Sequence, residues 1–283
     1  MLYFNKEKYN TAIVSGKFPN CETYVDYAEE VLLRLDPISQ QITMIFEGND
    51  DLINLMLLKR SLDDAGVKNI SLFAPFLPYS TMDRTEDFRA LSCKYVSEFI
   101  NRLGFDSVDI WESHSSVALA TLDRVKNDAT VSVSIAKTAI EREGCDERNA
   151  LIVFPDSGAE KRYCNSFVGY KTVTIKKMRD FQTGELLGSK IAEGEEFIEP
   201  DMTAFIVDDL CRAGWTFAKA AEALRARGVT KVILCVTHAE EKMFGGYMYE
   251  SELVDKIYTT DTCCAARDDD KIIFVKTVRF YRE

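Results

Sequence analysis

Short apolar runs alternate with longer amphipathic stretches over most of the chain. Ile42-Thr43-Met44-Ile45-Phe46 predicts a strand, and Asp50 to Ala65 predicts a helix closed by Gly66. Ile70 to Ala74 predicts the next strand, Phe88 to Leu103 a helix stopped by Gly104, and Val108 to Trp111 a third strand. The same alternation resumes at Leu151-Ile152-Val153-Phe154, Ala204-Phe205-Ile206-Val207 and Val232 to Val236. After Val207 a helix is expected, with Phe217, Ala220, Ala221 and Leu224 on its apolar face and Gly228 at its end. Strands alternating with helices imply βαβ units, so the expected class is α/β with parallel sheets flanked by helices. One segment breaks the pattern. Thr172 to Ile198 alternates and carries Gly184, Gly188 and Gly194, which predicts a β-hairpin flap.

Polar groups recur just beyond the predicted strands. Glu112-Ser113-His114 follows the third strand, Asp156-Ser157-Gly158 follows the strand at Leu151, Asp208-Asp209 follows Val207, and Thr237-His238 follows Val236. In parallel α/β sheets, ligands bind outside the carboxyl ends of the strands. Each of these groups also reads as a solvated loop or cap. A carboxylate set with a histidine and no Cys-His spacing suits Mg²⁺ with phosphates better than zinc. Lys161 and Arg162 after Asp156, and Lys176, Lys177 and Arg179 in the flap, supply cations for a phosphoryl group. Lys177 and Arg179 are two apart, which on a strand places them on one face. No GxxxxGK[ST] or GxGxxG loop occurs, so neither of those phosphate cradles is available.

Length and composition narrow the picture. A chain of 283 residues favours two domains, and the charged stretch Glu141 to Asn149 marks a boundary, giving 1–145 and 146–283. The formal net charge of -11 disfavours nucleic acid as a partner, although a few local cations still suffice for a small phosphorylated one. The start, MLYFNKEKYN, lacks the apolar core of a signal peptide, and no apolar run is long enough for a membrane span. Eight cysteines without a CxxC pair predict free thiols and a cytoplasmic protein.

Taken together, these residues resemble the ribose-phosphate diphosphokinases (PRPP synthetases), and the resemblance covers most of the chain. KFPNCE at Lys17 to Glu22 is similar to the family's adenine-binding segment. GNDDLINLMLL from Gly48 resembles its helix after an early strand, and APFLPYSTMDR at Ala74 to Arg84 its PYARQDR motif, with Asp83 and Arg84 kept. ESH at Glu112 resembles its DLH metal motif, PDSGAEKR at Pro155 its PDAGGVKR, and VDDLCRAGWT at Val207 its VDDMIDTGGT. Lys177 and Arg179 match its catalytic Lys-x-Arg.

The resemblance implies two phosphoribosyltransferase-like domains and transfer of the β,γ-diphosphoryl group of Mg-ATP to the anomeric hydroxyl of a ribosyl phosphate. It implies that Phe18, Asn20, Glu22 and Asp83 bind ATP, with Phe18 stacked on adenine. It gives Asp208 and Asp209 the ribose hydroxyls, and the loop Arg212, Ala213, Gly214, Trp215 and Thr216 the phosphate. His114, Glu112 and Asp156 would organise Mg²⁺, and Lys177, Arg179 and His114 would be catalytic. The family takes its adenine segment from a neighbouring subunit, so a homo-oligomer is implied.

Three departures bear on the substrate. Thr81-Met82 replaces the family's Arg-Gln, and Glu112 its Asp. Arg212 stands where the family has an acid, and Trp215 where it has a glycine. An Arg can pair with a diphosphate and a Trp can stack on a base, which points to an acceptor larger than ribose 5-phosphate, such as ADP-ribose. Trp215 reads equally well as packing against the following helix. Ordinary PRPP synthesis, a non-catalytic regulatory subunit and a phosphoribosyltransferase are the competing readings.

Overall fold

In the computed structural model, residues 1–4, 11–12, 14–26, 39–85, 89–179 and 186–276 are described. They divide into two units, one within 1–129 and the other from Thr130 onward. In chain order the first unit holds β1 (Leu2–Phe4), β2 (Thr11–Ala12), β3 (Val14–Lys17), β4 (Thr23–Asp26), β5 (Ser39–Met44) and α1 (Asp50–Asp64). It continues with β6 (Asn69–Phe73), α2 (Ser92–Leu103), β7 (Val108–Trp111), α3 (Ser116–Thr121) and β8 (Val125–Asp128). The sheet order is β2-β1-β5-β6-β7-β8, with β5 to β8 parallel and β1 antiparallel to both its neighbours. β3 and β4 form a separate antiparallel pair.

Local sequence accounts for these elements. Leu55, Leu58 and Leu62 recur at helical spacing and are buried on α1, and Asp50 and Asp51 occupy its first turn, where the helix dipole favours anions. The Asp51 carboxylate accepts the Glu47 and Gly48 amides at 2.7 and 3.1 Å. α2 ends at Gly104, whose φ of 74° is the left-handed conformation that a side chain resists.

The second unit holds α4 (Val131–Arg142), β9 (Ala150–Phe154), α5 (Ser157–Tyr163), β10 (Lys171–Arg179), β11 (Leu186–Glu193) and β12 (Thr203–Cys211). It continues with α6 (Trp215–Arg225), β13 (Lys231–Ala239), α7 (Tyr247–Glu250), β14 (Lys256–Thr260) and β15 (Ile272–Lys276). The sheet order is β11-β10-β9-β12-β13-β14-β15, parallel throughout except for the β10–β11 hairpin. All five residues of β9 are buried, as a parallel strand covered on both faces requires. Phe217, Ala220, Ala221 and Leu224 of α6 close the core over Leu151, Ile206, Val232 and Leu234. α4, which precedes the charged stretch at Glu141 to Asn149, packs on β12, β13 and β14.

Two expectations change here. Asp208 and Asp209, read as following their strand, lie within β12, and Thr237 and His238 lie within β13. The reason is pairing: the β12–β13 ladder runs on past the apolar cores, matching Asp208 with Val236 and Leu210 with His238. β12 pairs with β9 only as far as Ile206, so its last residues project beyond β9. The expected flap is the β10–β11 hairpin; residues 180–185 lie outside the described residues.

Candidate active site

The strand order places the site. From β9 the chain steps to β10 on one side, and from β12 it steps to β13 on the other. The carboxyl ends of β9 and β12 therefore flank a topological switch point, the place where open α/β sheets bind ligands. Asp156 caps α5 just after β9, and its Oδ1 accepts the Gly158 and Ala159 amides at 3.0 and 3.1 Å. Asp208 and Asp209 close the other side. The Ser132 hydroxyl donates to the Asp208 carbonyl at 2.8 Å and also meets the Thr237 hydroxyl, tying the start of α4 to the strand ends.

The electrostatics of this corner are unbalanced. The Asp209 amide donates to the Asp208 carboxylate at 2.9 Å. Burial, then the charge of Asp209, then that of Asp156 hold the Asp208 carboxyl well above the usual carboxylate range. The Asp209 side chain is 5% exposed and faces Arg162 Nη1 at 3.3 Å. Burial opposes the Arg162 charge, but Asp209, with Tyr163 and Asp208, more than offsets it, and its pKa is raised. Asp156, Asp208 and Asp209 thus share this corner with the half-buried Arg162, an arrangement that suits hydroxyl donors. Arg162 was expected to serve a phosphate. Its pairing with Asp209 was not legible, because it joins α5 to β12 across 47 residues.

The loop after β12 is shaped by close approach. Gly214 has φ 78° and caps α6 without a side chain; a Cβ there would lie 2.8 Å from the Met248 side chain. A Cβ on Gly246 would lie 2.8 Å from the Ala213 carbonyl, so the turn before α7 presses directly on this loop. Ala213 and Trp215 are exposed and Thr216 is half-buried. Arg212 Nε pairs with Glu240 Oε1 at 3.2 Å. Trp215 does not pack into the core; it is 49% exposed beside Tyr247.

The remaining expected residues fall as follows. Lys177 and Arg179 lie on β10, in register with Ser189 and Leu186, and a register shift falls between Met178 and Arg179. In the first unit, Phe18 is 53% exposed at the β3–β4 turn, 4.9 Å from the Tyr24 ring. Asn20 Nδ2 donates to Glu22 Oε2 at 2.8 Å, so these two polar residues hold each other. Asp83 is half-buried, His114 exposed and Glu112 buried. Cys21, Tyr79 and Glu112 carry φ values of 69°, 63° and 44°. With Arg124 they are the non-glycine residues with positive φ among the described residues, and three of the four fall in the motif segments. Left-handed backbone at non-glycine residues concentrates at functional sites, where surrounding structure enforces it. His114 lies three residues beyond the end of β7, whereas His238, within β13, is buried with Nδ1 2.8 Å from the Thr262 hydroxyl.

No group of three or more His, Cys, Asp or Glu among the described residues has metal-ligand geometry. Mg²⁺ binds through one or two carboxylates together with substrate phosphates, and the Asp156 carboxylate at the switch point suits that role. No helix among the described residues is long and apolar enough to cross a membrane.

The family profile for the N-terminal domain of ribose phosphate pyrophosphokinase matches residues 7–104. A ribose-phosphate pyrophosphokinase of Campylobacter jejuni is 27% identical over 220 residues, 76% of this chain and 68% of that one. A Sulfolobus acidocaldarius protein of the same name is 25% identical over 268 residues, 91% of this chain and 86% of that one. The chain is thus similar to ribose-phosphate pyrophosphokinases over most of its length, and its residues 7–104 match the N-terminal domain of that enzyme family. Its fold agrees: the crystal structure of phosphoribosylpyrophosphate synthetase from Mycobacterium smegmatis superposes with a TM-score of 0.75 at 20% identity, covering 95% of this chain and 87% of that one.

Proposed function

We propose that this protein transfers the β,γ-diphosphoryl group of ATP to the anomeric hydroxyl of a ribosyl phosphate. The observation that supports the reading is the carboxylate corner at the switch point, where Asp209 pairs with Arg162 beside the buried Asp208, a set suited to receiving ribose hydroxyls. The anomeric oxygen attacks the β-phosphorus, and the bond from that phosphorus to the α,β-bridging oxygen breaks. AMP departs with the bridging oxygen, and the hydroxyl proton is released to solvent. Lys177 and Arg179 stabilise the charge that builds on the transferring group. Asp156 in the second unit would hold Mg²⁺; by the family resemblance Glu112 and His114 of the first unit are metal residues as well. When bound, that ion would neutralise phosphate charge. Phe18, Asn20, Glu22 and Asp83 hold the ATP nucleotide, with the β3–β4 segment supplied by a second copy of the chain.

The acceptor is the finer point. Trp215 and Arg212 replace the small and acidic residues of the family pattern, and we assign the chain an ADP-ribose-type acceptor on that basis. Ordinary synthesis from ribose 5-phosphate is the second reading, favoured by the names of the relatives. AMP release from Mg-ATP, measured with each acceptor in turn, separates them. A higher kcat/KM for ribose 5-phosphate overturns the first reading.

A further inference from the structure

Beyond the phosphate loop the surface changes character. Trp215 and Tyr247 are each 49% exposed, and their rings are 5.5 Å apart at an interplanar angle of 47°. These rings are braced by their neighbours. Lys219 Nζ lies 4.8 Å from the Trp215 ring centre and 5.8 Å from that of Tyr247. Glu222 receives Lys219 at 2.8 Å and the Tyr247 hydroxyl at 3.2 Å, closing the circuit. Gly214 and Gly246 permit the close approach that brings the two segments together. Along the chain Trp215 follows Asp208, Asp209 and Arg212, in the order ribose carboxylates, cation, aromatic ring.

We propose that Trp215 and Tyr247 form a stacking shelf for the nucleobase of a nucleoside-diphosphate ribose. The inference rests on the acceptor reading above and adds Tyr247, braced through Glu222, as a specificity-determining residue. The order of these groups along the chain matches the order in such a ligand: reacting ribose, diphosphate, then base. An aromatic pair with a nearby cation suits a π-face attached to phosphate, since stacking tolerates any base while the cation favours the anion. Ribose 5-phosphate has nothing to place on the rings.

The test measures AMP release from Mg-ATP with the full chain and with Tyr247→Ala and Tyr247→Phe. Tyr247 is half-exposed, so its truncation leaves the core intact. The expected result is a KM for ADP-ribose raised on the order of tenfold in Tyr247→Ala. Its kcat, and its KM for ATP and ribose 5-phosphate, stay within about twofold, and Tyr247→Phe, which keeps the ring but loses the hydroxyl bond to Glu222, falls between wild type and Tyr247→Ala in its KM for ADP-ribose. ADP-ribose, but not ribose 5-phosphate, should also quench Trp215 emission in a Trp111→Phe background. If wild type prefers ribose 5-phosphate, the acceptor reading falls and takes the shelf with it. If wild type prefers ADP-ribose and Tyr247→Ala keeps its KM, the shelf alone is overturned. A rise in the KM for ATP, or an equal loss with both acceptors, overturns it as well.

Discussion

Replacing Glu143 by Gln should weaken the second unit, and the loss should vanish in acid. Glu143 follows α4, and its side chain is 4% exposed. Lys231 and Lys256 reach its two oxygens at 2.7 and 2.8 Å, and the Tyr258 hydroxyl donates at 2.6 Å. These contacts join the end of α4 to the starts of β13 and β14. Burial alone would raise the carboxyl pKa. The hydrogen bonds from Lys231, Lys256 and Tyr258 outweigh it and bring the value from 4.5 to about 2. A difference of about 2.5 pH units corresponds to roughly 3 kcal/mol favouring the ionised, folded form. Both lysines are about 40% exposed, so solvent screens part of this, and a cost of about 2 kcal/mol at pH 7 is expected for Glu143→Gln. Because the folded pKa is depressed, the stabilisation is full above pH 4.5 and fades as pH falls toward 2. The assay is urea unfolding followed by Trp215 emission in a Trp111→Phe background, which isolates the second unit, since the chain has two tryptophans. The wild type minus variant difference should be near its full value at pH 7 and shrink steadily below pH 4.5. A difference under about 0.5 kcal/mol at pH 7, or one that is flat down to pH 3, would refute the reasoning.

Three other outcomes follow from the site. Arg162→Met strands the buried Asp209 carboxylate and should destabilise by about 3 kcal/mol at pH 7; a loss under about 1 kcal/mol in urea titrations would contradict this. Gly214→Ala forces a left-handed backbone onto Ala and a contact with Met248, so scanning fluorimetry should register a loss of about 1–2 kcal/mol along with a raised acceptor KM. Lys177→Ala should lower kcat by a factor of about 100 or more while the KM for ATP changes little; an effect confined to KM would assign Lys177 to ground-state binding.

Much of this was legible before any coordinates. Period-two and helical patterns located β7 at its observed ends and placed α1, β5 and β6 within a few residues, because each buries one face against a sheet. The carboxylate groups were visible as polar breaks after apolar runs. What the pattern missed was set by partners distant in sequence. β12 and β13 extend through their polar residues because each satisfies the other's backbone. Arg162 turns toward Asp209, and Tyr247 comes to Trp215 only because Gly246 lets two loops touch. The adjacent glycines at Gly245 and Gly246 were the available signal for that turn.

The central claim is diphosphoryl transfer to a ribosyl phosphate, and product analysis tests it most directly. Purified protein with Mg-ATP and either ADP-ribose or ribose 5-phosphate should yield AMP and the 1-diphosphorylated acceptor in equal amounts, with no ADP. Release of ADP, or AMP formed equally fast without any acceptor, would contradict the account.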